Sequence, residues 1–95
     1  MAFLLCYITH PDEATAYRIS EHLLNERLVA CANIFPITSA YWWQGAIQHE
    51  NEWVSVVKTR LDLEAKLEAA VQKIQPYEVP CILRVEGRAN KAYED

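Results

Sequence analysis

The sequence predicts an α+β domain: one antiparallel sheet with two helices on one of its faces. Three observations lead to that class. Apolar spacing switches between strand-like and helical along the chain, in the order β-α-β-β-α-β. Each helical stretch carries a single apolar stripe, so it can lie on a sheet without being buried all round. The two middle strands are joined by a short turn signal, Gln44-Gly45, and not by a helix. With right-handed crossovers this order is the split βαβ arrangement, with the first and third strands central and the second and fourth at the edges.

Each element has its own justification. "FLLCYIT" (Phe3 to Thr9) is a continuous apolar run with aromatics, which predicts a central strand buried on both faces. In "THPDEATAYRISEHLLNERL" the spacing becomes helical: Ala16, Ile19, Leu23 and Leu28 share a face, with Leu24 at its edge. Thr9 is the expected N-cap, Pro11, Asp12 and Glu13 suit a first turn, and the helix should end between Asn25 and Leu28. "VACANIFPITSAYWWQ" is strand-like, and Pro36 places it at a sheet edge with a bend. The return strand, "AIQHENEWVSVVKTR", alternates at first and turns solidly apolar from Val54 to Val57, as an exposed arm running into the sheet centre would. "DLEAKLEAAVQKI" is the second helix, with Leu63, Leu67, Ala70 and Ile74 on one face, Asp62 as cap and Pro76 as stop. "VPCILRVEG" is the fourth strand, and "RANKAYED" carries a helix start at Asn90.

Composition narrows the function. The 95 residues fit one domain, residues 1–95, and 52% of them are apolar, with three Trp and five Tyr. That is more large apolar surface than a small core hides, which points to association. Trp42 and Trp43 sharpen the point, because adjacent strand residues face opposite ways. One ring should enter the subunit's own core and the other a neighbour. The net charge is −4 with no basic run, which argues against nucleic acid. The N-terminal apolar run is too short for a membrane span and lacks a basic export start. Three cysteines without CxxC spacing fit a reducing cytoplasm.

The candidates for chemistry are few. Cys6 and Cys81 read as core filling, on strands that should be neighbours, and Cys31 reads as the accessible thiol. His10, His22 and His49 lack a second ligand at metal spacing, and "HENE" (His49 to Glu52) reads as a solvated hairpin arm. There is no nucleophile motif, and two glycines leave no phosphate cradle, so an enzyme is not expected. Lys58, at the end of an apolar strand, is either a snorkelling strand end or an anion contact in a cleft. "PYEVP" holds Tyr77 and Glu78 between two prolines, a stiff loop suited to binding.

Taken in order, "PDEATA", "LVACANIFP", "SAYWWQGAIQ", "VVKTR" and "PYEVP" resemble the CutA family of divalent-cation-tolerance proteins. The resemblance implies a ferredoxin-like subunit in a compact homotrimer, whose long second and third strands extend sheets across subunits. It also implies tolerance to copper and other divalent metals, with a C-terminal helix that this chain would carry only in part. Gln75 stands where the family usually has histidine, and Cys81 where an acidic residue is common. The expected ligand for a divalent metal such as copper or zinc is therefore Cys31, with no imidazole. The trimer would also resemble that of the PII signalling proteins, which hold small ligands between subunits. The matching alternative is a small anionic metabolite in an inter-subunit cleft of Tyr41, Trp43, Lys58, Tyr77 and Glu78. A hydrolase of the acylphosphatase type shares the topology, but "THPDEATA" lacks its phosphate loop and arginine; a ligand-free trimeric scaffold is the remaining alternative.

Overall fold

The computed structural model describes residues 2–75 and 81–94. Its elements are β1 (Phe3–His10), α1 (Glu13–Asn25), β2 (Cys31–Trp43), β3 (Ala46–Thr59), a 3-10 turn at Leu61–Leu63, α2 (Glu64–Ile74), β4 (Ile82–Gly87) and α3 (Lys91–Glu94). The sheet order is β2-β3-β1-β4 with every neighbouring pair antiparallel, so β1 and β3 are central as the split βαβ topology requires. This is the ferredoxin-like α+β fold.

The core forms between the helices and one face of the sheet. Leu4, Cys6 and Ile8 of β1 and Val57 of β3 meet Ile19 and Leu23 of α1 and Leu67 and Val71 of α2. Only that face of β1 is fully buried. Phe3, Leu5, Tyr7 and Thr9 alternate onto the other face and stay half-buried, so the continuous apolar run does not mark a strand covered on both sides. At the β4 edge, Arg84 stands opposite Cys6 and pairs with Glu64 and Glu68 of α2. Cys81 is therefore not beside Cys6; it is exposed and precedes β4, which corrects the core-filling reading.

Helix ends differ from the expected ones for local reasons. β1 continues to His10, and Asp12 rather than Thr9 caps α1, accepting from the Thr15 N–H at 2.7 Å. At the other end Arg27 adopts a left-handed φ of 57°. Its N–H donates to Leu24 O, and the Leu28 N–H reaches back to Leu23 O, which is the Schellman pattern. Leu28 thus packs on the core after the helix has ended. Asp62 does not cap α2: the chain first makes a 3-10 turn, and the Asp62 carboxylate grips Arg60 at 3.1 Å.

Pro36 produces no bend in the register. Residues of β2 and β3 pair one for one from Cys31↔Lys58 to Trp43↔Ala46, and an edge strand tolerates the missing donor. Gln44 and Gly45 close the hairpin with φ of 50° and 79°, the paired left-handed geometry of a type I′ turn. β2 and β3 are 13 and 14 residues long against eight in β1, so their far ends outrun both helices. The molecule measures 46 × 24 × 21 Å, and its 14.2 Å radius of gyration exceeds the ~12 Å expected of a compact chain this size. This overturns one expectation: neither tryptophan enters the subunit's core, with Trp42 72% and Trp43 60% exposed.

Candidate functional site

Strand alternation sorts the candidate residues by face. Cys31, Asn33, Phe35, Tyr41 and Trp43 of β2 and Lys58 of β3 lie on the face that the helices leave open, together with Leu5 and Tyr7 of β1 and Leu83 and Val85 of β4. Leu83 and Val85 are 56% and 57% exposed, and Phe35 and Tyr41 are also exposed. Trp42 and Ile47 point the other way, beyond the helices, and are equally open. The face is thus a broad apolar surface with a projecting aromatic arm.

On the arm, polar side chains tie the two strands together. Tyr41 donates its hydroxyl to Glu50 at 2.8 Å, Ser39 donates to Glu52 at 2.8 Å, and Thr38 donates to Asn51 at 3.3 Å. The Glu50 contact holds the Tyr41 hydroxyl above its ordinary pKa. Both carboxylates of "HENE" are therefore engaged within the arm, on the face opposite His49.

At the other end of the sheet, a cavity of about 920 Å³ opens between β1, β2, β3, the C-terminal turn of α1 and α3. Cys31 and Lys58, cross-strand partners, both line it, with Phe3, Arg27, Arg60 and Tyr93. Lys58 Nζ donates to Asn33 Oδ1 at 3.1 Å and stands 5.6 Å from the Tyr93 ring centre. Tyr93 meets Phe3 edge to face at 6.5 Å. The structure thus joins Cys31 with Lys58. It does not bring Tyr41 or Trp43 to them within one chain: Tyr41 pairs with Gln48, ten residues along β3 from Lys58, or ~33 Å of strand. Tyr77 and Glu78 lie outside the described residues.

One cluster escaped the sequence reading. His10 is fully buried, its Nε2 2.7 Å from Ser55 Oγ and its Nδ1 3.2 Å from Gln75 Nε2. Gln75 Nε2 also donates to Thr9 O at 2.9 Å, which fixes the amide orientation. Nδ1 must then accept, so the proton sits on Nε2 and is donated to Ser55. This tautomer cannot deprotonate the serine, and both groups are sealed from solvent. The cluster is structural. Desolvation drives the His10 pKa down to about 4, with Arg18 adding to the shift and Asp12 opposing it. The local sequence carried no signal for it, because the register of β1 on β3 and the end of α2 assemble it.

The metal-donor set is thin. Among the described residues no three His, Cys, Asp or Glu side chains converge. Burial raises the Cys6 thiol to about 11, which keeps it protonated and inert. Cys31 is half-buried and Cys81 exposed. One chain therefore does not supply a transition-metal site from the described residues.

Comparison with known proteins agrees with this architecture. The family model described as CutA1 divalent ion tolerance protein matches residues 4–95. The divalent-cation tolerance protein CutA of Thermotoga maritima is 44% identical over 86 residues, 88% of this chain and 85% of that protein. The structure of CutA from Synechococcus elongatus superposes with a TM-score of 0.93 at 31% identity, covering 98% of this chain and 84% of that one. The Archaeoglobus fulgidus structure, described as a periplasmic divalent cation tolerance protein, gives a TM-score of 0.90 at 38% identity, covering 96% and 90%.

Proposed function

Because this chain belongs to the CutA1 divalent ion tolerance family, we propose that it works as a homotrimer in the response to divalent metal ions such as copper. The observation that carries the assembly is the open sheet face with its projecting arm. Trp43, Leu83 and Val85 are more than half exposed on that face, and Trp42 and Ile47 are as open on the reverse of the arm. Monomers rarely leave so much large apolar side chain wet. Neighbouring subunits would cover it, and the arm would extend the adjoining sheets. No helix of the described residues is long and apolar enough to cross a membrane. Three unpaired thiols suit a cytoplasmic setting.

Metal binding on this reading is weak, shared between subunits and dependent on Cys31. The reading is of binding without catalysis: the Ser55–His10 pair among the described residues is buried in the wrong tautomer. Sedimentation at micromolar concentration tests the assembly, with a mass of three subunits expected and a folded monomer contradicting it. Copper titration of wild type and Cys31→Ser tests the ligand: affinity should fall in the variant, and equal affinities would remove Cys31 from the site. A second reading, a small anionic ligand held in an inter-subunit cleft as in PII-like trimers, is favoured by the cationic groups around the cavity.

A further inference from the structure

Thr9 bonds to both ends of the connection between α2 and β4. Its N–H donates to Cys81 O at 3.4 Å, and its carbonyl accepts from Gln75 Nε2 at 2.9 Å. Gln75 is also the C-cap of α2, where its backbone N–H donates to Val71 O at 2.8 Å. One side-chain amide thus ties the end of the helix to the end of β1.

That tie depends on the charge of the neighbouring ring. Gln75 Nε2 spends its other hydrogen on His10 Nδ1 at 3.2 Å, a bond that requires a neutral imidazole. The ring's Nε2–H already faces Ser55 Oγ at 2.7 Å, so a second proton has only Nδ1 to occupy. Nδ1–H then needs an acceptor, and Gln75 Oε1 is one, buried and without a hydrogen bond. Turning the amide over exchanges its nitrogen and oxygen, which brings the oxygen to 2.9 Å from Thr9 O. Two acceptors repel at that distance. Gln75 therefore satisfies either Thr9 or a charged His10, and the two states exclude each other.

The arrangement belongs to the interior of the subunit. His10 and Ser55 lie on the helix side of the sheet at 0% exposure and Gln75 is buried beside them, so covering the open face leaves all three as they are. Burial holds the imidazole neutral down to about 4, Asp12 before α1 favours its charge, and Arg18 on α1 opposes it. β3 and the end of α2 present the neutral Ser55 and Gln75.

We infer that His10 and Gln75 form an acid-operated latch: protonation of His10 turns the Gln75 amide, breaks its bond to Thr9 O and undoes this tie between α2 and β1 while the subunit stays folded. One proton enters at Nδ1, one hydrogen bond replaces another, and the change reverses when the proton leaves. The inference stands apart from the metal and trimer readings, since every group in it comes from the buried side of one subunit.

The test is nuclear magnetic resonance on the isotopically labelled full chain from pH 7.5 to 3, following the His10 ring nitrogens, the Gln75 side-chain amide and the Thr9 carbonyl carbon. All three should move together with a midpoint near 4, while the signals of the hairpin at Gln44 and Gly45 and the circular dichroism hold steady. His10→Gln should abolish the movement at Gln75 and Thr9. Gln75→Glu sets a carboxylate beside Nδ1 and should raise the His10 midpoint by about one pH unit or more; it decides the matter if His10→Gln does not fold. Glu78→Gln, in the segment outside the described residues, and Asp12→Asn should both keep the transition, which separates the imidazole from nearby carboxylates. Four results overturn the inference: Gln75 and Thr9 unmoved as His10 protonates, movement only in step with the whole spectrum, movement that persists in His10→Gln or vanishes in either carboxylate variant, or an unraised midpoint in Gln75→Glu.

Discussion

Acidification should destabilise this protein through one imidazole. His10 is fully buried, and burial lowers its pKa from 6.5 to about 4. The unfolded chain takes up a proton as pH falls below about 6.5, whereas the folded chain resists until about 4. The stabilising contribution is therefore complete above 6.5 and lost as pH drops through that window. At ~1.36 kcal/mol per pH unit the loss approaches roughly 3 kcal/mol. The geometry gives the same sign: a proton on Nδ1 would set two donors against each other at 3.2 Å, unless the Gln75 amide turns and releases Thr9 O. Gln75 Oε1, buried without a hydrogen bond, would then become the acceptor. The assay is urea unfolding at fixed protein concentration from pH 7.5 to 4.5, on wild type and His10→Gln. Other groups titrate alike in both chains, so the difference in slope isolates His10. Wild type should lose stability more steeply by up to ~1.4 kcal/mol per pH unit within the window. Parallel slopes would refute the reasoning, and so would a nitrogen-15 spectrum showing the proton on Nδ1 at pH 7.

Three further outcomes are expected. Trp42→Ala and Trp43→Ala should each leave the subunit fold intact while making the melting temperature depend more strongly on concentration, because both rings lie outside the core. If both variants sediment and melt as wild type does, the arm is a surface ornament. Arg27→Gly should stabilise the fold by about 1 kcal/mol, by relieving a left-handed side-chain-bearing residue, and chemical denaturation will read that directly. Asp12→Ala should cost about 1 kcal/mol through the lost N-cap bond to Thr15, whereas Thr9→Ala should leave α1 capped.

Periodicity and turn chemistry alone determined the element order, the central place of β1 and β3, and the hairpin at Gln44-Gly45. These are local properties: side-chain period follows backbone geometry, and a turn with two positive φ angles favours glycine. The placement of Cys31 and Lys58 on one face was not read from the sequence, because alternation carries it only once the hairpin register is known. Tertiary structure decided the rest. A continuous apolar run cannot reveal whether its second face is covered, and for β1 the described residues leave that face half-buried. The fate of Trp42 and Trp43 depended on how far the helices reach along the sheet, a length relation between elements that no single segment contains. The His10–Ser55–Gln75 cluster joins positions 45 and 65 residues apart. The cavity needs a strand end, the turn after α1 and α3 together. Such sites are products of register and packing, and the physics that builds them acts only once the chain has closed on itself.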